Sequence, residues 1–455
     1  MNKLYAYIEK FQNKFFELRH DKDRLTLWMN NLIVVYMFFI PITASVTSRI
    51  FVVILILFLI RGNIAHYIKE AWSNSVVRAF SYLLMVYLIW FIGSDNLKEG
   101  WTSFSHVKNA LYLFVFLAVI DGRYINRILG AFIVAMMMSE ILSYSMFFGL
   151  LPWEFSIGGQ LLYKAYQVGD PVPFLHHIHY GVLLAFTVVL LSQKVLYVKE
   201  DIRLKIIMLF FTITALANIF VTGGRTGYIT FFPLLTLFFF YYHRKWILPA
   251  LVGISLFAGI MYQNSNLLQY KVAQTVMEVE KLVQPTADFG SSLGQRVGFW
   301  VYSEEVVRDN FFFGVGTGDS MDEVFARVLP KDEVVKSIAH EHNQYISIML
   351  QFGLIGLAVF LNIFYQIYKF KSNNQDMRFI QLAITVAIGI GITMTMFNLR
   401  VFLHLWILIL ALTMVPESRQ TIQSSIPPVG RFLSQVIGLG VIFYLAIFLK
   451  EIMKF

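Results

Sequence analysis

The chain contains no cysteine, which removes disulfides, thiol nucleophiles and cysteine-ligated zinc from the chemistry open to it. It is also poor in charge. Only 14% of its 455 residues are Asp, Glu, Lys or Arg, against roughly 25% in soluble domains. With 57% hydrophobic residues and a mean hydropathy of +0.64, a water-soluble fold has too few polar side chains to cover its surface. No small-residue cleavage site follows the mixed-charge first 26 residues, so this stretch reads as retained and not as a cleaved signal peptide. Internal repeats and low-complexity tracts are absent as well. The 44 Phe and 23 Tyr fall in and beside apolar runs, where they suit lipid contact and interfacial positions. They form no base-stacking platform, and a nucleic-acid partner does not fit.

What is present is a series of long apolar runs. A membrane-crossing helix needs about 20 mostly apolar residues, which places helices near 27–44, 48–61, 77–93, 106–121, 127–150, 177–193, 204–222, 226–243, 246–262, 343–368, 379–398 and 400–416. The expected fold class is therefore an all-α membrane protein with about 12 transmembrane helices. A further run, 431–449, reads as a thirteenth span or an interfacial helix.

The net charge of +9 serves first as a topology signal, because short cytoplasmic loops collect Lys and Arg. Alternating from a cytoplasmic N-terminus, the inner segments hold Lys3, Lys10, Lys14, Arg19, Lys22 and Arg24. Farther along they hold Arg61, Lys69, Arg78, Arg123, Arg127, Lys194, Lys199, Arg203, Lys205, Arg244, Lys245, Lys369, Lys371, Arg378, Arg419 and Arg431. The short outer loops hold only Arg49, Lys98, Lys108, Lys164 and Arg225.

The same alternation puts two long connections outside: 151–176, with Trp153 and the Gly158–Gly159 pair, and 263–342. Loops of this length are usually functional or form small domains, and 264–283 and 296–309 carry helical patterning. The expected organisation is 1–262 as an N-terminal segment with nine helices, 263–342 as a largely helical outer domain, and 343–455 as the remaining spans and C-terminal apolar segment.

Three outer motifs can carry chemistry. In Thr222-Gly223-Gly224-Arg225-Thr226-Gly227-Tyr228 an arginine sits in a glycine turn between two apolar helices. Arginine at membrane depth usually faces a polar cavity or partner. Its planar fork suits phosphate oxygens, and neighbouring glycines let a ligand approach the backbone. The plainer alternative is a snorkelling interfacial side chain.

The second motif is Gly294-Gln295-Arg296-Val297-Gly298-Phe299-Trp300, followed by Gly314-Val315-Gly316-Thr317-Gly318. A second arginine beside loop amides offers anion donors, although such glycines also simply form turns. The third is His340-Glu341-His342-Asn343, at the re-entry into the membrane. Gly353, eleven residues beyond His342, falls about 20° past three helical turns and so on the same face. Imidazole is suited to removing a hydroxyl proton near neutral pH, but a histidine at a helix start can also be an ordinary surface group. His176, His177, His179, His340 and His342 also invite a zinc reading, but their spacing matches no compact ligand signature.

The order of these features resembles the O-antigen ligases and the related O-antigen polymerases, most clearly from about 204 to 368. The most specific element is the ligase-type pattern His-[Asn/Ser/Gln], nine residues, Gly, two residues, then Gly, Thr or Tyr. It is met by His342-Asn343 and Gly353-Leu354-Ile355-Gly356. Gly224-Arg225 and Arg296 with Phe299-Trp300 match in order.

The resemblance implies a polytopic, GT-C-like glycosyltransferase of the bacterial inner membrane, acting at the periplasmic face in lipopolysaccharide biosynthesis. It implies an undecaprenyl-diphosphate-linked glycan donor and a lipid A-core oligosaccharide acceptor, with membrane lipids around the protein. Arg225 and Arg296 would bind the diphosphate, and His342 would be the base for metal-independent inverting transfer without a cofactor. His340 is the alternative base. His340, His176, His177, His179 and Gly224 would contribute to substrate binding. A polymerase is the nearest alternative function. A polysaccharide transporter or flippase is a more distant one, and the paired broken helices of transporter halves are not evident in the sequence.

Overall fold

A computed structural model describes residue 19 and residues 21–157, 160–164, 171–264, 266–284, 287–372, 374–397 and 400–415. The Gly158–Gly159 pair, the cations Lys3, Lys10 and Lys14, and the 431–449 run lie outside the described residues.

All twelve apolar segments read from the sequence up to residue 416 are helical within the described residues. They become α1 (Lys22–Phe39), α2 (Ala44–Arg61), α4 (Ser75–Ile89), α5 (Leu97–Val107) running on into α6 (Tyr112–Val119), α7 (Ile125–Phe147), α8 (His177–Tyr197), α9 (Ile202–Val221), α10 (Arg225–Tyr242), α11 (Ile247–Asn264), α15 (Gln344–Lys369), α16 (Gln375–Gly391) and α17 (Arg400–Thr413). An amphipathic helix, α3 (Ile64–Ser73), connects α2 to α4.

Seven stretches are long and apolar enough to cross a bilayer by length and composition: Ala44–Arg61, Leu97–Val119, Gly122–Phe147, His177–Tyr197, Ile202–Val221, Arg244–Asn264 and Gln344–Lys369. Ser75–Ile89 and Arg400–Thr413 are shorter apolar helices. Among the described residues the strands are confined to a hairpin in the first long connection, where β1 (Glu154–Ile157) pairs antiparallel with β2 (Gln160–Lys164).

Helices that are apolar all round belong inside a bundle. In α17 every residue from Val401 to Thr413 is buried. Two of its ring nitrogens find partners: His404 Nδ1 meets Thr47 Oγ1 at 3.2 Å and Trp406 Nε1 donates to Thr385 Oγ1 at 3.1 Å. Helix α8 is buried along most of its length and packs against α9, α10 and α16. The crossing of α8 and α10 is close because glycine meets glycine: a Cβ on Gly181 would stand 2.9 Å from the Gly227 Cα.

The 263–342 stretch forms α12 (Asn266–Val283), α13 (Ser292–Asp309), α14 (Ser320–Arg327) and a 3₁₀ turn at Pro330–Ser337. Phe299, Val306, Val324 and Val335 make a small core there, which Leu350 of α15 completes.

Helix α15 is interrupted at Gly353, whose φ of 61° and ψ of −157° lie in a region essentially reserved for glycine. The interruption frees backbone groups, and the preceding loop takes them up. Val315 and Gly316 donate to the carbonyls of Leu350 and Gln351 at 2.9 and 3.0 Å, while Leu354 and Ile355 donate to Phe311 and Phe312 at 2.9 and 3.3 Å. This overturns two expectations. Gly353 does not continue a helical face beginning at His342. The Gly314–Gly318 amides are not free anion donors either, because Gly314 N bonds Asn310 O, Thr317 N bonds Trp90 O and Gly318 N bonds Gln351 Oε1. The glycines let a strap of chain lie directly against a broken helix: a Cβ on Gly353 would fall 2.4 Å from the Phe312 carbonyl carbon.

Gly353→Ala is therefore expected to destabilise the protein by on the order of 1–3 kcal/mol from backbone strain alone, with steric overlap added. Thermal melting in detergent checks this, and an unchanged melting temperature would contradict the strap geometry.

Candidate active site

Helix α13 packs against α15, and its Arg296 lies within electrostatic reach of residues at the starts of α8, α10 and α15. Each start has its own local cause. His176 caps α8 through Nδ1, which accepts from Ile178 N at 3.3 Å. Asn343 caps α15, its Oδ1 accepting from Tyr345 N and Ile346 N at 2.9 and 3.2 Å. Gly224 precedes α10 and supplies no side-chain cap, so no side-chain oxygen offsets the partial positive charge of this helix N-terminus, which favours negative charge; Gly227 N is bonded to the Gly224 carbonyl at 3.0 Å.

Arg225 is the first residue of α10. One guanidinium nitrogen lies 3.0 Å from Glu278 Oε2 of α12, an ion contact that lacks the alignment of a hydrogen bond. The Arg225 side chain remains 37% exposed while that of Glu278 is only 7% exposed, so the rest of the fork stays accessible. The flanking glycines are not open to a ligand as expected. Gly224 backs onto the His177 carbonyl, which a Cβ would approach to 3.1 Å, and Gly223, at φ 62°, faces the Lys271 side chain. Protein occupies the space the missing side chains leave, and these glycines serve to bring α8 and α12 close to Arg225.

Arg296 projects from the first half of α13. One turn on, Trp300 Nε1 donates to the Glu341 carbonyl at 3.1 Å, and residues four apart share a helix face, so this bond sets Arg296 beside the histidine segment. Among the described residues Arg296 has no carboxylate within ion-pair distance. It lies within electrostatic reach of Arg225 and Glu278 on one side and of His176, His340 and His342 on the other. Burial first, and then Arg225, push its guanidinium below the ordinary value.

The histidine segment is held from beneath by Glu341, which is buried. Its Oε1 accepts from Ser320 Oγ at 2.8 Å and Ser347 Oγ at 3.1 Å. The His340 and His342 rings lie against each other, with centroids 3.9 Å apart. His342 stands outside the helix in a left-handed conformation, φ 54°, a strained backbone for a residue of this kind and one that clusters at functional sites.

The two imidazoles are not equivalent. His340 Nδ1 accepts from the His342 backbone N–H at 3.2 Å, so neutral His340 carries its proton on Nε2 and can only donate there. His342 Nδ1 is buried with no hydrogen-bond partner among the described residues, so nothing fixes its tautomer. Burial first, then His340, Arg296 and His176, hold the His342 imidazole down to about 3. Burial, with His177, His179 and Arg296, holds His176 at about 3. His340 is lowered by burial and by Arg296.

His176 and His177 stack at 4.0 Å and His176 and His179 lie 6.2 Å apart. His179 also sits edge-on to Phe402 at 5.0 Å. Every side chain singled out from the sequence thus lies in one electrostatic cluster, with Gly224 at its edge. Among the described residues no three His, Asp or Glu side chains gather as a metal-ligand set.

Glu278 and the capping role of His176 were not legible beforehand. The only signal for Glu278 was its place in a patterned helix. Glu341 was visible between its histidines, but its role as their buried anchor was not.

Fold and site define a class: an all-α polytopic membrane protein with a half-buried cluster of arginines and histidines where its helices begin. Residues 210–361 match the family model described as O-antigen ligase, which supports assigning the chain to the O-antigen ligase family. The matched stretch holds Arg225, Arg296, His340, His342 and Gly353, and leaves out His176–His179. No curated protein matches the chain. The family points to glycosyltransferase-like ligase or polymerase function on lipid-linked glycans.

A depressed histidine contributes stability that is full above the unfolded value of 6.5 and is lost as pH falls from there toward 3, because the unfolded chain binds more protons in that window. Melting temperature is expected to decline across that range and to decline less steeply in His342→Asn, since asparagine tolerates positive φ and does not titrate. An identical slope in the variant would count against a buried neutral His342.

Proposed function

We propose that the protein is an O-antigen ligase that moves a glycan from undecaprenyl diphosphate to lipid A-core oligosaccharide at the periplasmic face of the inner membrane. The observation that carries this reading is Arg296, which lies within reach of Arg225 on one side and of His342 on the other. A diphosphate between the arginines would supply negative charge beyond that of Glu278, and the N-terminus of α10, which has no side-chain cap, would add its favourable dipole end. Orientation rests on the positive-inside alternation, which puts the starts of α8, α10 and α15 outside.

In the proposed step His342 takes the proton of the acceptor hydroxyl. That oxygen bonds to the anomeric carbon with inversion, the carbon–oxygen bond to phosphate breaks, and the polyprenyl diphosphate leaves with the electron pair. Arg225 and Arg296 neutralise the charge growing on it. Donor binding also prepares the base. In the free protein Arg296 helps to hold His342 neutral but weakly basic, and an anion beside Arg296 cancels that field and raises the imidazole's proton affinity. His340, whose Nε2 can only donate, orients the acceptor instead of deprotonating it. The His342-to-Gly356 pattern favours a ligase over a polymerase. A deletion strain tests the choice: a missing ligase leaves bare lipid A-core with polymer accumulating on its carrier, whereas a missing polymerase leaves single capped units.

His342→Asn is expected to lower kcat by about 10²- to 10⁴-fold, the usual worth of a general base. His340→Asn, whose amide oxygen can still accept from the His342 N–H, is expected to lose on the order of tenfold or less, as for one neutral hydrogen bond. Initial rates with purified donor and acceptor decide this, and equal losses would remove the distinction between the two imidazoles.

Arg225→Lys is expected to be nearly as damaging as Arg225→Ala, because an ammonium cannot keep the Glu278 contact and also grip two phosphate oxygens. Activity is expected to persist in EDTA. Strong inhibition reversed by a divalent ion would overturn the metal-independent mechanism.

A further inference from the structure

A cavity of about 190 Å³ opens on the other side of the histidine segment. Glu99, Ser103 and His106 of α5 form one wall, His340 and Glu341 the other, and Met396 adds an apolar surface. His342 and both site arginines are absent from its lining, and no Lys or Arg lines it among the described residues. Its surroundings carry both signs: Arg400 and Lys108 lie within electrostatic reach of His106, and the carboxylates lie toward the start of α5. Glu99 stands exposed at the mouth, and beside it Asp319 accepts from the Asp95 and Asn96 amides while Asp322 accepts from Asn96 Nδ2.

Carboxylates, a serine hydroxyl and imidazoles around one apolar patch suit a ring with hydroxyls at its rim and C–H bonds on its face. Within the lining itself a phosphate or a uronate would meet Glu99 and Glu341 and no guanidinium or ammonium. The cavity's size suits one such ring. The fixed Nε2–H of His340, which borders the cavity, can donate to a ring oxygen, and the His342 imidazole follows 3.9 Å beyond.

We propose that this cavity is a subsite for one unphosphorylated pyranose ring, that of the acceptor, and that Glu99 and Ser103 set its specificity. The binding claim stands on the cavity itself; calling the ring the acceptor rests on the glycosyl-transfer reading.

The test uses the full chain in detergent with a panel of methyl pyranosides and their 6-phosphates as probes, read by saturation-transfer-difference NMR without donor. At least one unphosphorylated sugar is expected to bind, the phosphates to bind less well, and Glu99→Gln to weaken the sugar about tenfold, the worth of one hydrogen bond to a charged group. Ser103→Ala, on the same exposed helix face, is the second variant. Binding by none of the sugars, a preference for the phosphates, or affinities unmoved by both variants would overturn the subsite.

Kinetics then separate the two readings. With a transfer-active protein, Glu99→Gln is expected to raise KM for the acceptor about tenfold and to leave KM for the donor unchanged. A shift in donor KM alone, with Arg225→Ala and His342→Asn still inactive, would sink the subsite and spare the transferase. Sugar binding sensitive to Glu99, with full transfer by Arg225→Ala and His342→Asn, would do the reverse.

Discussion

Backbone groups freed inside a low-dielectric bundle must find partners, and the break in α15 at Gly353 makes that requirement structural. Four hydrogen bonds between residues 311–316 and 350–355 replace those the helix gives up. They fasten the outer segment to a membrane helix at one depth and in one register. Because the strap is held there, Ser320 and Asp319 stand where they do, Glu341 finds Ser320 and Ser347, and the histidine segment enters α15 in a strained left-handed turn. An unbroken helix would leave the Val315 and Gly316 amides and the Phe311 and Phe312 carbonyls without these partners and the histidines with no fixed platform.

On that platform the electrostatics are one-sided. Glu278 offsets part of Arg225, and Glu341 is turned inward to two serines. Arg296 is left facing a second guanidinium and a group of imidazoles. Burial, with the neighbouring Arg296, disfavours protonation of His176, His340 and His342, so the cleft maintains a positive field without adding their charges to it. Such a field is unfavourable to the folded chain on its own and becomes favourable once an anion enters. The cavity bordered by His340 and Glu341 differs from it, with no Lys or Arg in its lining among the described residues.

The helices were legible because hydropathy over about 20 residues is a strong, local signal. Twelve apolar runs became helices, and the patterned 264–283 and 296–309 stretches became α12 and α13. The hairpin at 154–164 was not legible, since its pairing depends on residues brought together by a turn. Within the site, Arg225, Arg296 and His342 stood out as costly residues beside glycines. The reasons given for the glycines were partly mistaken. Gly224, Gly227 and Gly353 make room for neighbouring chain, and whether a missing side chain admits a ligand or a helix depends on what packs against it.

The order of residues therefore determined the spanning elements, the charge asymmetry of their connections and the small set of side chains able to bind phosphate or move a proton. Those properties follow from transfer free energies and functional groups that each residue carries with it. Only the tertiary structure decided that Arg225 leans on Glu278, that Trp300 carries Arg296 to the histidines, and that His340 spends its acceptor nitrogen on the His342 amide and leaves His342 free. Each of these is a contact between segments far apart in the chain or in an unusual turn, where angles and distances of a few ångströms separate a base from a donor.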